Sequence, residues 1–257
     1  MVLHRILSDA RVRSDDAAGR SDELAEAAAR STPARGFATA LARPGLSVIA
    51  EVKRRSPSRG VLAAGLDAVG QARIYEGAGA TAVSVLTEPL HFGGSLGDLT
   101  AVKGALSIPV LRKDFILEAA QVFEARAAGA DAVLLIVAAL GDELLGRLMS
   151  AAAEAAIDAL IEVHSLEEAA IARAAGATLI GVNNRNLETF LTDLGTAEAL
   201  ASTVQGDGIV TVAESGIHTP DDAERMRNAG YDAILVGEAL VVADDSAATL
   251  SGLIGRT

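Results

Sequence analysis

A repeating unit of apolar and polar positions organises the chain. Four times, a stretch with helical spacing ends in Ala-Gly, and a run of four or five mostly apolar residues follows within three positions. Glycine is favoured just after a helix because it reaches the left-handed backbone conformation without strain. The runs, residues 82–86, 132–136, 179–182 and 233–236, are too short for helices and too apolar for half-exposed strands. They predict parallel strands covered on both faces.

Four further apolar runs complete a set of eight strands, at residues 47–52, 109–112, 158–163 and 209–213. Helix starts agree with this: Ser165 to Glu168 forms a capping-box pattern, and Thr219 precedes a first-turn proline and two acids. Eight strand–helix units predict a (β/α)8 barrel, the TIM-barrel fold. A doubly wound open sheet shares the alternation, but such sheets more often have five to seven strands. Residues 1–46 predict a helical, charged extension packed on the barrel, so that residues 1–257 form one domain.

The longest apolar run, the N-terminal residues, the net charge and the cysteine content limit the kinds of protein that this chain can be. The longest apolar run, residues 132–140, is about half of what a bilayer-spanning helix needs, and it fits a strand buried on both faces. The N-terminal residues lack the continuous apolar stretch of a signal peptide, so we expect a cytoplasmic protein. A net charge of −12 argues against nucleic-acid and membrane binding but leaves a local basic pocket open. Without cysteine, the chain has neither disulfides nor a thiolate nucleophile.

Charged and amide side chains end five of the predicted strands. TIM barrels hold their active sites at these C-terminal strand ends, so the side chains are expected on one rim. Any one of these side chains could simply be a polar residue at the end of a strand, but together they predict a functional site. A buried cluster of lysine and glutamate side chains suits acid–base chemistry. The residues are Glu51, Lys53, Lys113, Glu162, Asn183, Arg185 and Glu214.

Two glycine-containing turns predict a phosphate site. Ser215-Gly216 follows strand 7 and Gly237-Glu238 follows strand 8, where small residues let backbone N–H groups face an anion. The basic stretch 53–59 resembles a nucleic-acid-binding Arg-Ser segment, but its place after a buried strand favours a pocket. The four histidines lack metal-ligand spacing, so we expect no metal.

The strand ends resemble one known family. Residues 49–58 (IAEVKRRSPS) closely resemble the strand-1 signature of indole-3-glycerol phosphate synthase, the decarboxylating, ring-closing enzyme of tryptophan biosynthesis. Further matches in order are residues 110–116 (VLRKDFI), 162–164 (EVH), 181–187 (GVNNRNL), 214–217 (ESGI) and 236–240 (VGEAL). The resemblance covers the whole predicted barrel.

The resemblance implies a substrate, a reaction and roles for residues. The substrate would be 1-(2-carboxyphenylamino)-1-deoxyribulose 5-phosphate, a small anion with a phosphate and a carboxylate, and no cofactor would be needed. Lys113 would be the general acid at the ribulose carbonyl, Glu162 and Glu51 would handle protons, and Lys53 would meet substrate anions and protonate the departing hydroxyl. Substrate binding is implied for Ser56, Asn183, Arg185 and Glu214, and phosphate binding for Lys53, Ser215, Gly216, Gly237 and Glu238. Phe92 and Phe115 lie on loops where the aryl ring would need an apolar wall.

Several alternatives stay open at this point. Another phosphate-binding barrel isomerase or lyase is one, although the phosphoribosylanthranilate isomerase family typically uses a Cys base that this chain lacks. A Schiff-base aldolase using Lys113 is a second, and a non-catalytic barrel that binds phosphometabolites is a third. Glu238 departs from the small hydroxyl residue of some relatives: a backbone contact would tolerate it, whereas a carboxylate aimed at the phosphate would weaken binding. We expect a monomer.

Overall fold

Eight parallel strands close into a barrel. The structure, a computed structural model, describes residues 2–57, 59–187 and 189–255. The strands pair in chain order, and the first pairs with the last to close the sheet. They are β1 Ser47–Val52, β2 Ala82–Leu86, β3 Val110–Lys113, β4 Ala132–Ile136, β5 Asp158–Val163, β6 Leu179–Asn183, β7 Val210–Glu214 and β8 Ala233–Val236. The predicted (β/α)8 barrel is confirmed, with every predicted strand boundary within one residue.

Helices surround the barrel and precede it. They are α1 Val2–Ala18, α2 Ser21–Ala29, α3 Phe37–Leu41, α4 Ala68–Gly77, α5 Leu96–Ala105, α6 Ala119–Ala127, α7 Val137–Glu154, α8 Leu166–Ala174, α9 Gly195–Val204, α10 Pro220–Asn228, α11 Glu238–Val241 and α12 Ser246–Leu253. Both predicted N-caps are present: the Ser165 hydroxyl accepts the N–H of Glu168, and Thr219 forms a capping box with Asp222. The capping box predicted at Ser165 is only half formed, because the Glu168 carboxylate accepts the N–H of His164. A short antiparallel hairpin, Arg55–Ser56 with Gly60–Val61, lies in the loop after β1.

The apolar run at residues 132–140 is not one strand. The strand ends at Ile136, and the next four residues form a helical turn at the start of α7. Gly141, with φ 67° and ψ 176°, separates this turn from the rest of α7. The strand is buried throughout, whereas in the turn Val137 is buried, Ala138 is exposed and the next two residues are half-buried. Within the described residues, no helix is long and apolar enough to cross a membrane.

The barrel interior is apolar along most of its length and polar at the C-terminal ends of the strands. Inward side chains such as Ile49, Leu111 and Leu160 form a compact cluster inside the sheet. Phe37 and Leu41 of α3 belong to the same cluster and are fully buried. A larger apolar layer packs between the sheet and the outer helices. Because side chains alternate along a strand, the residue two positions after each inward apolar residue also faces the interior, at the C-terminal end.

The N-terminal extension contacts the barrel through α6. Ala17 of α1 and Leu24 of α2 pack on Ala120 of α6, and all three are buried. The Arg126 guanidinium donates a hydrogen bond to the carbonyl oxygen of Thr32. These contacts bring the first turns of α1 over the C-terminal end of the barrel, where Ile6 lines the main cleft.

Candidate active site

A cleft of about 1140 Å³ opens at the C-terminal ends of the strands. Side chains from all eight strands or their following loops line it, together with Ile6 of α1. The cleft wall contains every site residue predicted from the sequence except Glu214; these are Glu51, Lys53, Ser56, Phe92, Lys113, Phe115, Glu162, Asn183, Arg185, Ser215, Gly216, Gly237 and Glu238. The barrel therefore brings together residues that lie nearly 190 positions apart in the sequence.

Lys113 lies at the centre of the acid–base cluster. It follows the inward Leu111 by two residues on β3, and so its ammonium points into the mouth of the barrel. Its Nζ atom is 2.6 Å from Glu214 Oε2 and 3.5 Å from Glu162 Oε2. Burial alone would lower the pKa of Lys113, but the negative charges of Glu214, Glu162 and Glu51 outweigh it and raise the pKa. Lys113 is consequently held protonated, which is the state a proton donor needs.

Glu214 lies beneath Lys113 rather than on the cleft wall. Its side chain is fully buried, and among the described residues Oε1 has no hydrogen-bond partner. Burial raises the pKa of Glu214 to about 7; Lys113 acts against this, while Glu162 and Glu51 reinforce it. Gly181 on β6 makes room for the carboxylate, because a Cβ atom at residue 181 would collide with Oε1. The contact of Glu214 with substrate stays a prediction, and its position 2.6 Å from Lys113 Nζ also lets it support that ammonium.

Glu51 and Lys53 form a second acid–base pair on the same rim. The alternation of β1 predicted that both face inward, and both line the cleft. Lys53 Nζ lies 2.5 Å from Glu51 Oε1. Gly237, after β8, packs directly against this pair, since a Cβ atom there would clash with the Glu51 carboxylate and lie 3.0 Å from Lys53 Nζ. The pair therefore requires glycine at residue 237.

Glu162 ends the inward face of β5 and is held ionised. Burial alone would raise the pKa of Glu162, but the charge of Lys113 and contacts from His164 and Asn183 lower it to about 2. The carboxylate borders the cleft although it is only 2% exposed. Glu162 is therefore in the ionised state that a proton acceptor needs at neutral pH.

The turns after β7 and β8 form the end of the cleft where the sequence predicted an anion. Ser215 and Gly216 both have left-handed backbone conformations, with φ of 64° and 79°. This conformation costs a non-glycine residue about 1–2 kcal/mol. The Asn184 side chain steadies the turn by donating to the carbonyl oxygens of Glu214 and Ser215, each at 3.1 Å. Strain held in this way is typical of a functional turn.

Glu238 turns its carboxylate towards two arginines. Its Oε1 atom lies 2.9 Å from Arg59 Nε, and Oε2 lies 3.6 Å from Arg185 Nη2. Arg59 extends from the loop after β1, where its N–H donates to the hydroxyl of the buried Ser56 at 3.2 Å. The charge of Glu238 is thus balanced, and the residue joins the loop after β1 to the ends of β6 and β8.

An apolar wall lies at the other side of the cleft. The rings of Phe92 and Phe115 are 6.4 Å apart at 39° to each other. Leu187 and Phe190 also line the cleft, and the sequence reasoning missed both. Phe190 lies in a loop with φ of 60°, a conformation that its residue type does not indicate. Such a wall suits a planar aromatic group.

A buried ion cluster joins α1 to the loops that carry the two phenylalanines. Arg13 lies 3.2 Å from Glu88 and 2.9 Å from Asp114, and both carboxylates are buried. Glu88 also accepts the backbone N–H of Phe92 at 3.0 Å, and Asp114 accepts that of Phe115 at 2.8 Å. Arg13 was missed because nothing in a charged helix marks one arginine as the partner of residues 75 and 101 positions away.

A metal site was not expected from the sequence. Across residues 2–57, 59–187 and 189–255, no group of three or more His, Asp or Glu side chains is arranged to hold a metal ion. His164, two residues after Glu162, contacts two carboxylates instead.

The sequence as a whole matches a known family. A sequence model of the family described as indole-3-glycerol phosphate synthase matches residues 3–253. The chain belongs to the indole-3-glycerol phosphate synthase family. The family resemblance of the strand ends is therefore confirmed.

Relatives within the indole-3-glycerol phosphate synthase family match over most of the chain. A protein of that name from Koribacter versatilis is 48% identical over 258 residues, covering 98% of each chain. Another from Nocardioides sp. is 54% identical over 211 residues, covering 82% of this chain and 81% of the relative. The solved structure of 3-hexulose-6-phosphate synthase superimposes with a TM-score of 0.66 at 19% identity, over 82% of this chain and 99% of the other. That last likeness supports the barrel fold alone.

Proposed function

We propose that this chain is an indole-3-glycerol phosphate synthase and a carboxy-lyase. It would convert 1-(2-carboxyphenylamino)-1-deoxyribulose 5-phosphate to indole-3-glycerol phosphate, CO2 and water. The observation that carries the proposal is the position of Lys113, a buried ammonium between Glu162 and Glu214, at the centre of one cleft. Membership of the family over nearly the whole chain supports the same reaction.

The cleft offers a separate place for each part of the substrate. The phosphate would bind at the turns after β7 and β8, through backbone N–H groups of Ser215, Gly216, Gly237 and Glu238, with Lys53 adding positive charge. Ser56, Asn183 and Arg185 would contact the ribulose hydroxyls, and Phe92 and Phe115 would hold the aryl ring. With the phosphate and the aryl ring bound in this way, the ribulose carbonyl would lie between them, near Lys113.

Ring closure begins when the aromatic carbon that bears the carboxylate attacks the ribulose carbonyl carbon. Lys113 would donate a proton to the carbonyl oxygen as the new C–C bond forms, taking the developing negative charge away. The carboxylate then leaves as CO2, and the electrons of its C–C bond restore the aromatic ring. For the oxygen of the substrate to reach Nζ, it has to approach the ammonium from the cleft, opposite Glu214.

Dehydration completes the indole ring. The hydroxyl group leaves with a proton from Lys53, and a proton is lost from the neighbouring ribulose carbon to Glu162. Glu162 then passes the proton that it has taken up to Lys113, 3.5 Å away. Lys53 regains its proton from solvent by way of Glu51, through their 2.5 Å contact. The complete reaction therefore consumes one proton from solvent, because the carboxylate leaves as neutral CO2.

A Schiff-base aldolase is disfavoured by the same geometry. Schiff-base formation needs a neutral amine, whereas the surrounding carboxylates raise the pKa of Lys113 and keep it charged. Reductive trapping with borohydride in the presence of substrate distinguishes the two, since only the aldolase would be labelled at Lys113.

The test of the proposal is a turnover assay. Purified protein is mixed with the carboxyphenylamino-deoxyribulose phosphate in buffer containing EDTA, and indole fluorescence is followed with time. We expect indole-3-glycerol phosphate, identified by mass, at a rate proportional to enzyme concentration. Absence of an indole product would refute the proposal. We further expect a monomer in size-exclusion chromatography and a cytoplasmic location in cell fractionation.

A further inference from the structure

Each of the three carboxylates at the centre of the cleft has a different nearest cation. Glu51 lies 2.5 Å from Lys53, and Glu214 lies 2.6 Å from Lys113. Lys113 is farther from Glu162, at 3.5 Å, and the His164 ring nitrogen Nε2 is closer, at 3.3 Å. Three carboxylates share only two lysines here, and His164 is the additional group within ion-pair distance of Glu162.

His164 lies between two carboxylates behind the cleft. It is the residue after β5, and its side chain is 13% exposed. Its Nδ1 atom is 3.1 Å from Glu168 Oε2, and the same oxygen accepts the backbone N–H of His164 at 2.7 Å. Burial alone would lower the pKa of His164, but its contacts with Glu162 and Glu168 outweigh this and raise the pKa to about 10.

We propose that His164 is a positioning residue of the reaction. As an imidazolium it supplies the counter-charge of Glu162 and holds that carboxylate ionised and facing the cleft, while Glu168 holds the imidazolium from behind. This inference rests on the proposed function, because it concerns the ability of Glu162 to accept a proton during turnover.

The other charged groups near His164 do not take over this role. His4 of α1, Arg185 after β6 and Asp193 line the recess on the outer side of His164, and Lys113 lies across Glu162. In the described part of the chain, only Glu162 and Glu168 lie within ion-pair distance of the imidazole. The Nε2 atom is buried and makes no well-directed hydrogen bond there. Its interaction with Glu162 is therefore one of charge.

Removing the charge of His164 has a defined electrostatic consequence. Glu162 and Glu214 would then share Lys113 as their only close cation, and two buried carboxylates with one cation favour uptake of a proton. A protonated Glu162 cannot accept another proton, so activity would be lost as the pH falls. Raising the pH would restore the ionised carboxylate and with it the activity.

The test compares pH profiles of kcat/KM from pH 5 to 9 for the wild-type protein, His164→Gln and His4→Gln. Glutamine keeps a similar size and can still hydrogen bond, but it carries no charge. In the wild-type protein Glu162 stays ionised across this pH range, so its protonation should not limit the activity. We expect the neutral His164→Gln to lose about tenfold more activity at pH 5 relative to pH 8.5 than the wild-type protein does, because its Glu162 takes up a proton within this range. His4→Gln, whose side chain lines the same recess, should follow the wild-type profile.

A profile of His164→Gln that stays parallel to that of the wild-type protein, whatever its height, would overturn the inference. Should this variant not fold, His164→Asn serves as a second neutral replacement. If the wild-type protein itself forms no indole product, the proposed function fails, and this outcome is distinct from failure of the positioning role.

The charge of His164 is also measured without turnover. Nitrogen-15 spectra of the four histidines are assigned by replacing His4, His91 and His218 with glutamine one at a time. We expect the His164 signal to remain that of an imidazolium from pH 6 to 9. A His164 signal that titrates near the ordinary histidine pKa of about 6.5 would overturn the inference.

Discussion

Replacing Lys113 with methionine tests both the charge balance and the proton-transfer role. Methionine has a similar shape but no charge, so Glu214 and Glu162 lose the cation that lies 2.6 Å and 3.5 Å away. Both carboxylates are at most 2% exposed, and removing one partner of a buried ion pair costs about 3–5 kcal/mol. We expect this loss in the free energy of unfolding at pH 8.5.

The loss in the free energy of unfolding should become smaller as the pH falls. In the wild-type protein, burial raises the pKa of Glu214 to about 7 although Lys113 acts to lower it. Replacing Lys113 therefore raises the pKa of Glu214 further. An unfolded glutamate has a pKa of about 4.3. A group with a raised folded-state pKa is protonated in the fold below that pKa. Its destabilising effect therefore begins near the unfolded pKa, grows as the pH rises and is complete above the folded pKa.

Two measurements check this. Urea unfolding of wild-type protein and Lys113→Met at pH 5.5 and 8.5 should give a stability difference that is larger at pH 8.5. Turnover of Lys113→Met should fall by about 10²–10⁴-fold, the usual contribution of a general acid. Equal stability differences at both pH values would refute the charge argument, and turnover near the wild-type rate would remove Lys113 from the reaction.

Three further substitutions, one of them with a matched control, test other parts of the site. Gly237→Ala should lower kcat/KM and cost about 1–3 kcal/mol of stability in urea unfolding, because the added methyl group displaces the Glu51–Lys53 pair; unchanged values would contradict the close packing. Arg13→Ala should cost about 2–3 kcal/mol because it removes the cation that pairs with the buried Glu88 and leaves Asp114 with Arg112. The matched Arg30→Ala, in an exposed pair with Glu26, should cost less than about 0.5 kcal/mol, and similar losses would contradict the argument. Glu238→Gln should bind inorganic phosphate up to about fivefold more tightly in calorimetry, since a negative charge is removed near the proposed phosphate site; weaker binding would contradict that placement.

The barrel and the polar rim followed from simple rules. Strands covered on both faces need uninterrupted apolar runs, and so runs such as residues 82–86 and 233–236 predicted strands with matching ends. The alternation of inward side chains then placed Glu51, Lys53, Lys113 and Glu162 on one rim. These features depend on local sequence and on one fold rule.

Other features of the site depend on distant side chains and could not be predicted. Glu214 was expected in contact with substrate, but whether a strand-end carboxylate lies on the wall or beneath it depends on its neighbours, here Gly181 and Lys113. The contacts of Arg13 with the loops after β2 and β3 join positions 75 and 101 residues apart. The pairing of His164 with two carboxylates likewise appears only once β5 and α8 are packed.

The most direct test of the central claim counts CO2 against the indole product. The substrate carries carbon-13 in its carboxyl group, and labelled CO2 and indole-3-glycerol phosphate are measured together by mass spectrometry and fluorescence. We expect one labelled CO2 for each indole formed, in the presence of EDTA. Consumption of substrate without labelled CO2, as an isomerase or an aldolase would give, would contradict the proposed reaction.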